Sequence, residues 1–132
     1  MRTITIQTVL TATPEEMFSS FEKMYGDVYI PEEALTVEDL GRISGILGWA
    51  TNNKAYLNSL FVYLDIATRR AKQSGDKETY SEMVCRKNVV KAYYDRVDDI
   101  YKVCSRQATI WIEARKENDE IKRQEKVLED LK

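Results

Sequence analysis

The chain has 132 residues, 43% hydrophobic and 32% charged, with five glycines, two prolines and a net charge of −2. Such a balance suits a single soluble helical domain and excludes a disordered chain. Histidine is absent, which removes the commonest metal ligand, the commonest general base and the usual neutral-pH switch together.

Residues 3–10 alternate polar and aliphatic side chains through Thr3, Ile4, Thr5, Ile6 and Gln7. This alternation predicts a short β-strand with Ile4, Ile6 and Leu10 facing inward. An isolated strand leaves backbone groups unpaired, so its partner is either Val28-Tyr29-Ile30 or a strand of another chain. Thr13-Pro14-Glu15-Glu16 then reads as a helix start, with Thr13 as the cap, Pro14 in the first turn and Glu16 at the capping-box position. Met17, Phe18, Phe21, Met24 and Tyr25 give that helix one apolar face, and Gly26 suits its end. After a loop through Pro31, Thr36-Val37-Glu38-Asp39 carries a second helix start.

The strongest pattern follows. Leu40, Ile43, Leu47, Ala50, Lys54, Leu57, Phe61, Leu64, Thr68 and Ala71 fall at alternating steps of three and four. Beyond Gly75, Tyr80, Met83, Lys87, Val90, Tyr94, Val97, Tyr101, Cys104, Ala108 and Trp111 repeat the rhythm. Two such stripes joined by Ser74-Gly75-Asp76 predict a long antiparallel helical hairpin, coiled-coil-like, in a mainly α protein. Thr51-Asn52-Asn53 is a stretch that could kink the first arm. The expected organisation is a single domain, with a strand-and-helix cap over 1–36, the hairpin over 37–111 and a charged helical tail over 112–132. Ile121, Leu128 and Leu131 are the regular apolar positions of the tail.

Trp49, Tyr56 and Tyr63 recur every seven residues on another face of the first arm, near Gly41, Gly45 and Gly48. A helix with two apolar faces packs against two things. Either the N-terminal helix covers this face or a second subunit does. Ile4, Ile6, Trp49, Tyr56 and Tyr63 are therefore the candidate protein-interface residues.

No nucleophile motif, phosphate loop or cysteine cluster occurs. The adjacent carboxylates at Glu15-Glu16, Glu32-Glu33 and Asp98-Asp99 point about 100° apart on a helix and make no preset acid–base pair. The chain is expected to be non-catalytic, with no catalytic residues, metal site, cofactor or small-molecule substrate. Cys85 and Cys104 lie roughly 28 Å apart along one helix, beyond the reach of a disulfide. Reduced thiols, the missing leader-like apolar stretch and the missing membrane-length run predict a cytoplasmic protein with no membrane partner.

Charge is unevenly spread. Residues 1–36 hold two basic and six acidic side chains, whereas residues 69–91 hold seven basic and three acidic ones. The hairpin gathers Arg69, Arg70, Lys72, Lys77, Arg86, Lys87 and Lys91 around Tyr80 at its tip, and Arg96 and Arg106 extend the series along the second arm. Cations beside an aromatic ring are the minimum equipment for holding a phosphate backbone and stacking a base.

The segment Lys102–Arg115 resembles the C-terminal helix of the UvsY-type recombination mediators of T-even phages, through Ser105, Arg106, Ile110 and Arg115. The resemblance covers about fourteen residues and, more loosely, the helical-hairpin layout. It implies a ring-like homo-oligomer that binds single-stranded DNA, helps load a recombinase and works in the bacterial host cytoplasm. The chain departs from that pattern in its added N-terminal strand and helix and in its mild negative charge. Two other readings stand beside this one. In the first, a protein-binding inhibitor or adaptor, such as a phage anti-defence (anti-CRISPR) factor, uses the strand at 3–10 and the acidic N-terminal region. In the second, a structural assembly protein uses its tail and the Trp49/Tyr56/Tyr63 face.

Overall fold

The hairpin reverses at Gly75, whose φ of 74° is the left-handed conformation that a side chain disfavours. The Asp76 amide donates to the Ala71 carbonyl (3.1 Å) and the Gly75 amide to that of Lys72 (3.3 Å), the double bond of a Schellman ending. Asp76 then starts the next helix, accepting from the Thr79 amide at 3.1 Å and its hydroxyl at 2.7 Å. These bonds hold the Asp76 carboxyl below the usual carboxylate range.

The computed structural model describes residues 3–28 and 37–132. It contains α1 (Pro14–Tyr25), α2 (Val37–Ser74) and α3 (Lys77–Asp130), and no strand among the described residues. The Thr36 cap, the Pro31 loop, Tyr29 and Ile30 lie outside the described residues. Thr51-Asn52-Asn53 does not break the helix, since α2 is continuous over 38 residues. Thr51 Oγ1 and Asn53 Nδ2 donate back to the carbonyls of Leu47 and Trp49, so these polar side chains are absorbed within the helix.

The seam forms where the two heptad stripes meet. Ala50, Leu57 and Leu64 of α2 and Val90, Val97 and Cys104 of α3 are fully buried. Each large aliphatic side chain here contributes about 1.5–3 kcal/mol of transfer free energy. A second row on α3, Arg86, Tyr93 and Ile100, is also buried, because α1 and the N-terminal segment cover that flank. α1 lies along α3, with Phe21 and Tyr25 fully buried and both rings packed on Tyr93. It reaches α2 through Tyr25, whose ring meets Trp49 edge-on and whose hydroxyl donates to Asn53 Oδ1 at 2.9 Å.

The strand expected over 3–10 is replaced by turns. Thr8 and Val9 amides donate to the Thr5 carbonyl, and Thr11 and Ala12 amides to that of Thr8. The Thr8 hydroxyl accepts from the Thr5 amide at 2.8 Å. Threonines at positions 5, 8 and 11 thus satisfy nearby backbone groups and compete with a ladder. The buried residues become Ile4, Val9 and Ala12, while Ile6 is 45% exposed, so the alternation does not mark two faces. Thr13 caps α1 as expected, accepting from the Glu16 amide at 3.1 Å. No helix among the described residues is long and apolar enough to cross a membrane.

α3 runs unbroken through the boundary expected at 111–112. Cys104 is its last buried residue, packed with Ile43 and Ile100. Beyond it Ile110, Ile112, Ile121, Val127, Leu128 and Leu131 are exposed, and the last turns of α3 extend past the residues that face α2.

Candidate nucleic-acid interface

The helix ends that flank Gly75 carry Arg69, Arg70, Lys72 and Lys77 of the expected basic residues, whereas Lys91 stands further along α3 beside Asn58 and Phe61. Arg69, Arg70, Lys72, Lys77 and Lys91 are exposed. Lys72, Lys77 and Tyr80 share a shallow depression with Ala71, Gly75 and Asp76, and Tyr80 keeps 39% of its surface open. Among the described residues, Arg70, Lys72, Lys77 and Lys91 have no ion-pair partner. Arg69 Nε lies 3.0 Å from Asp65 Oδ2.

Two residues of the expected set are turned inward instead. Arg86 is buried, and its Nε donates to the Ala12 carbonyl at 2.7 Å while Nη1 stands 3.7 Å from Glu82. Together with the Tyr56 hydroxyl, which donates to the Ile4 carbonyl, it pins the N-terminal segment to the hairpin at both ends. Lys87 Nζ crosses the seam to Asp65 Oδ1 at 2.9 Å and lies over the Phe61 ring. These bonds from Lys87 and then Arg69 hold the Asp65 carboxyl below the usual range.

Lys54 repeats the arrangement further along. Its ammonium meets Asp98 Oδ1 at 2.7 Å and sits over the Tyr94 and Tyr101 rings. Lys102 adds a second ammonium to Asp98 at 2.9 Å, and the carboxyl is again lowered, first by Lys54. The cross-helix pairing of these aspartates escaped the sequence reading, which noted Asp98 only as a neighbour of Asp99. The signal was available, because Lys54 and Lys87 each interrupt an apolar stripe and Asp65 and Asp98 sit beside the same stripes. Arg96 leaves the basic series, donating to the Gly26 carbonyl at 2.5 Å, whereas Arg106 is exposed in a depression with Tyr101, Lys102 and Ser105.

The candidate interface residues divide. Ile4 is buried, and Trp49 and Tyr56 are half-buried against Tyr25 and the N-terminal segment, so the N-terminal portion covers that part of the face. Tyr63 and Ile6 stay exposed, with Val62 and Ile66 beside Tyr63 in the helix. Among the described residues, nothing comes within 4 Å of the places where Gly41, Gly45 and Gly48 would carry a Cβ. A groove unforeseen from sequence runs between α1 and α3, floored by Tyr93, Val89 and Val103 and edged by Phe18, Glu22 and Asp99. There the Tyr93 hydroxyl donates to Glu22 at 2.7 Å, and burial with this bond pushes its pKa up to about 12.

Cys85 is an exposed free thiol and Cys104 a buried one, its pKa raised by burial. Among the described residues no group of histidine, cysteine or carboxylate side chains is arranged to hold a metal. No protein-family model, curated protein or solved structure matches the chain.

Proposed function

We propose that the protein is a non-catalytic helical accessory protein of the phage recombination-mediator kind, which self-associates and binds single-stranded nucleic acid through the hairpin tip. One observation carries this reading. Arg70, Lys72 and Lys77 are exposed without ion-pair partners among the described residues, and the two lysines share a depression with the exposed ring of Tyr80. Cations of this kind exchange condensed counterions for phosphates, and an open ring stacks a base. Arg86 and Lys87 drop out of the contact set because each is engaged within the fold. The exposed apolar residues of the α3 overhang are the surface proposed for self-association.

The test is fluorescence anisotropy of a labelled oligothymidylate at about 50 and 200 mM salt. Wild type is expected to bind at the lower salt and weaken sharply at the higher. The triple variant R70E/K72E/K77E is expected to lose binding with its circular dichroism unchanged. Absence of wild-type binding at low salt, or unchanged affinity of the variant, would overturn the reading. A second reading, a protein-binding inhibitor or adaptor, is favoured by the α1–α3 groove and by Phe18, 56% exposed at its edge. Its strand-addition form is withdrawn, since residues 5–12 form turns.

A further inference from the structure

The two flanks of the seam are unequal. α1 and the N-terminal segment cover the flank that carries Arg86, Tyr93 and Ile100. On the other flank, Tyr80, Lys87, Lys91, Tyr94 and Tyr101 follow one another at helical spacings of three, four or seven along α3. No element among the described residues packs over them; Lys87, Tyr94 and Tyr101 are half-buried only because they border the seam.

Three shallow depressions lie along this flank, and each pairs an aromatic ring with a cation. At the tip, Tyr80 stands with Lys72 and Lys77. In the middle, Phe61 and Tyr94 stand with Lys91. At the far end, Tyr101 stands with Lys102 and Arg106. Lys91 and Arg106 are exposed and have no ion pair among the described residues. Asp95 borders the middle depression, but Asp65 and Asp98 are each already matched by two cations. Summed over the flank, Lys54, Arg69, Lys72, Lys77, Lys87, Lys91, Lys102 and Arg106 outnumber Asp65, Asp76, Asp95 and Asp98. The flank is therefore positive in total although Lys91 and Asp95 balance in the middle, and a ring stands at each step.

We infer that this uncovered flank is a continuous track, along which a single nucleic-acid strand held at the tip runs on to Arg106. The inference rests on the tip reading and extends it. From residue 80 to residue 106 the track measures about 39 Å at the helical rise. A strand at the ~3.4 Å rise of stacked bases spans it with about eleven nucleotides, and a stretched strand with fewer. Repeated ring-and-cation units suit a polyanion with bases to stack and carry no sequence preference. Duplex DNA, whose bases are already stacked on one another, gains only the phosphate contacts.

The experiment compares wild type, K91Q/R106Q and the tip variant R70E/K72E/K77E on labelled oligothymidylates of about five and about fifteen nucleotides. Lys91 and Arg106 are exposed, so K91Q/R106Q is expected to keep its helicity and thermal midpoint. It should match wild type on the short strand, lose about tenfold on the long one, and lower the long-strand salt slope by about 1.4, or ~0.7 for each phosphate contact removed. Equal affinity of wild type and K91Q/R106Q for the long strand would overturn the track and leave the tip reading standing. Failure of wild type to bind either strand would overturn both.

Discussion

Lys54 and Lys87 interrupt rows that are otherwise mainly apolar, and each is held there by an aspartate from the opposite helix. Eleven residues separate the two pairs on α2 (54 to 65) and eleven on α3 (87 to 98). Three helical turns take about eleven residues, so both pairs keep to one side of the seam. A slip of one heptad would part both at once and leave half-buried charges without partners, which is how polar seam residues specify register. The acid limb of stability follows. Asp65 and Asp98 titrate below the ordinary carboxylate value in the folded chain. Their contribution is therefore complete above the unfolded value of about 3.9 and disappears as pH falls through the lowered folded values. Thermal melts followed by circular dichroism between neutral pH and about pH 2.5 should show wild type losing stability steeply at the acid end. D65N/D98N should begin lower and lose less; parallel curves for the two proteins would assign the acid loss to other carboxylates.

At the scale of elements, the turn is specified by glycine. Gly75→Ala keeps the Schellman bonds only by holding an L side chain at positive φ, so it should lower the unfolding free energy by about 1–2 kcal/mol in urea titrations. The hairpin, its turn and the Thr13 cap were legible in sequence because each follows from a local rule of spacing or capping. The N-terminal segment was not legible as turns. Ile4 and Ile6 satisfy a two-residue alternation, and what decides against it is Thr8 bonding its own neighbours and Arg86, far along the chain, donating to the Ala12 carbonyl at the end of the segment. The candidate site was half legible for a similar reason. The tip cluster could be read from the basic run, whereas the burial of Arg86 depends on which flank α1 chooses, and the α1–α3 groove exists only once that choice is made.

At the scale of the molecule, α3 is much longer than its partner, with 54 residues against 38 in α2. No residue beyond 111 is buried. Ending the chain after residue 114 should therefore change folding stability by no more than about 0.5 kcal/mol. If the overhang joins copies, the same truncation reduces the mass seen by sedimentation equilibrium, and an unchanged mass would remove it as the association surface. The dependence of α1 on α3 also has a consequence in time. Synthesis from the amino end makes α1 and α2 first, yet the surfaces that receive α1, around Tyr93 and Arg96, belong to the helix made last. The contacts nearest Gly75 join residues close in sequence and carry the smallest loop-closure cost. A nascent chain thus closes the hairpin outward from the basic turn, and the acidic N-terminal portion, although first to emerge from the ribosome, is among the last parts to find its place.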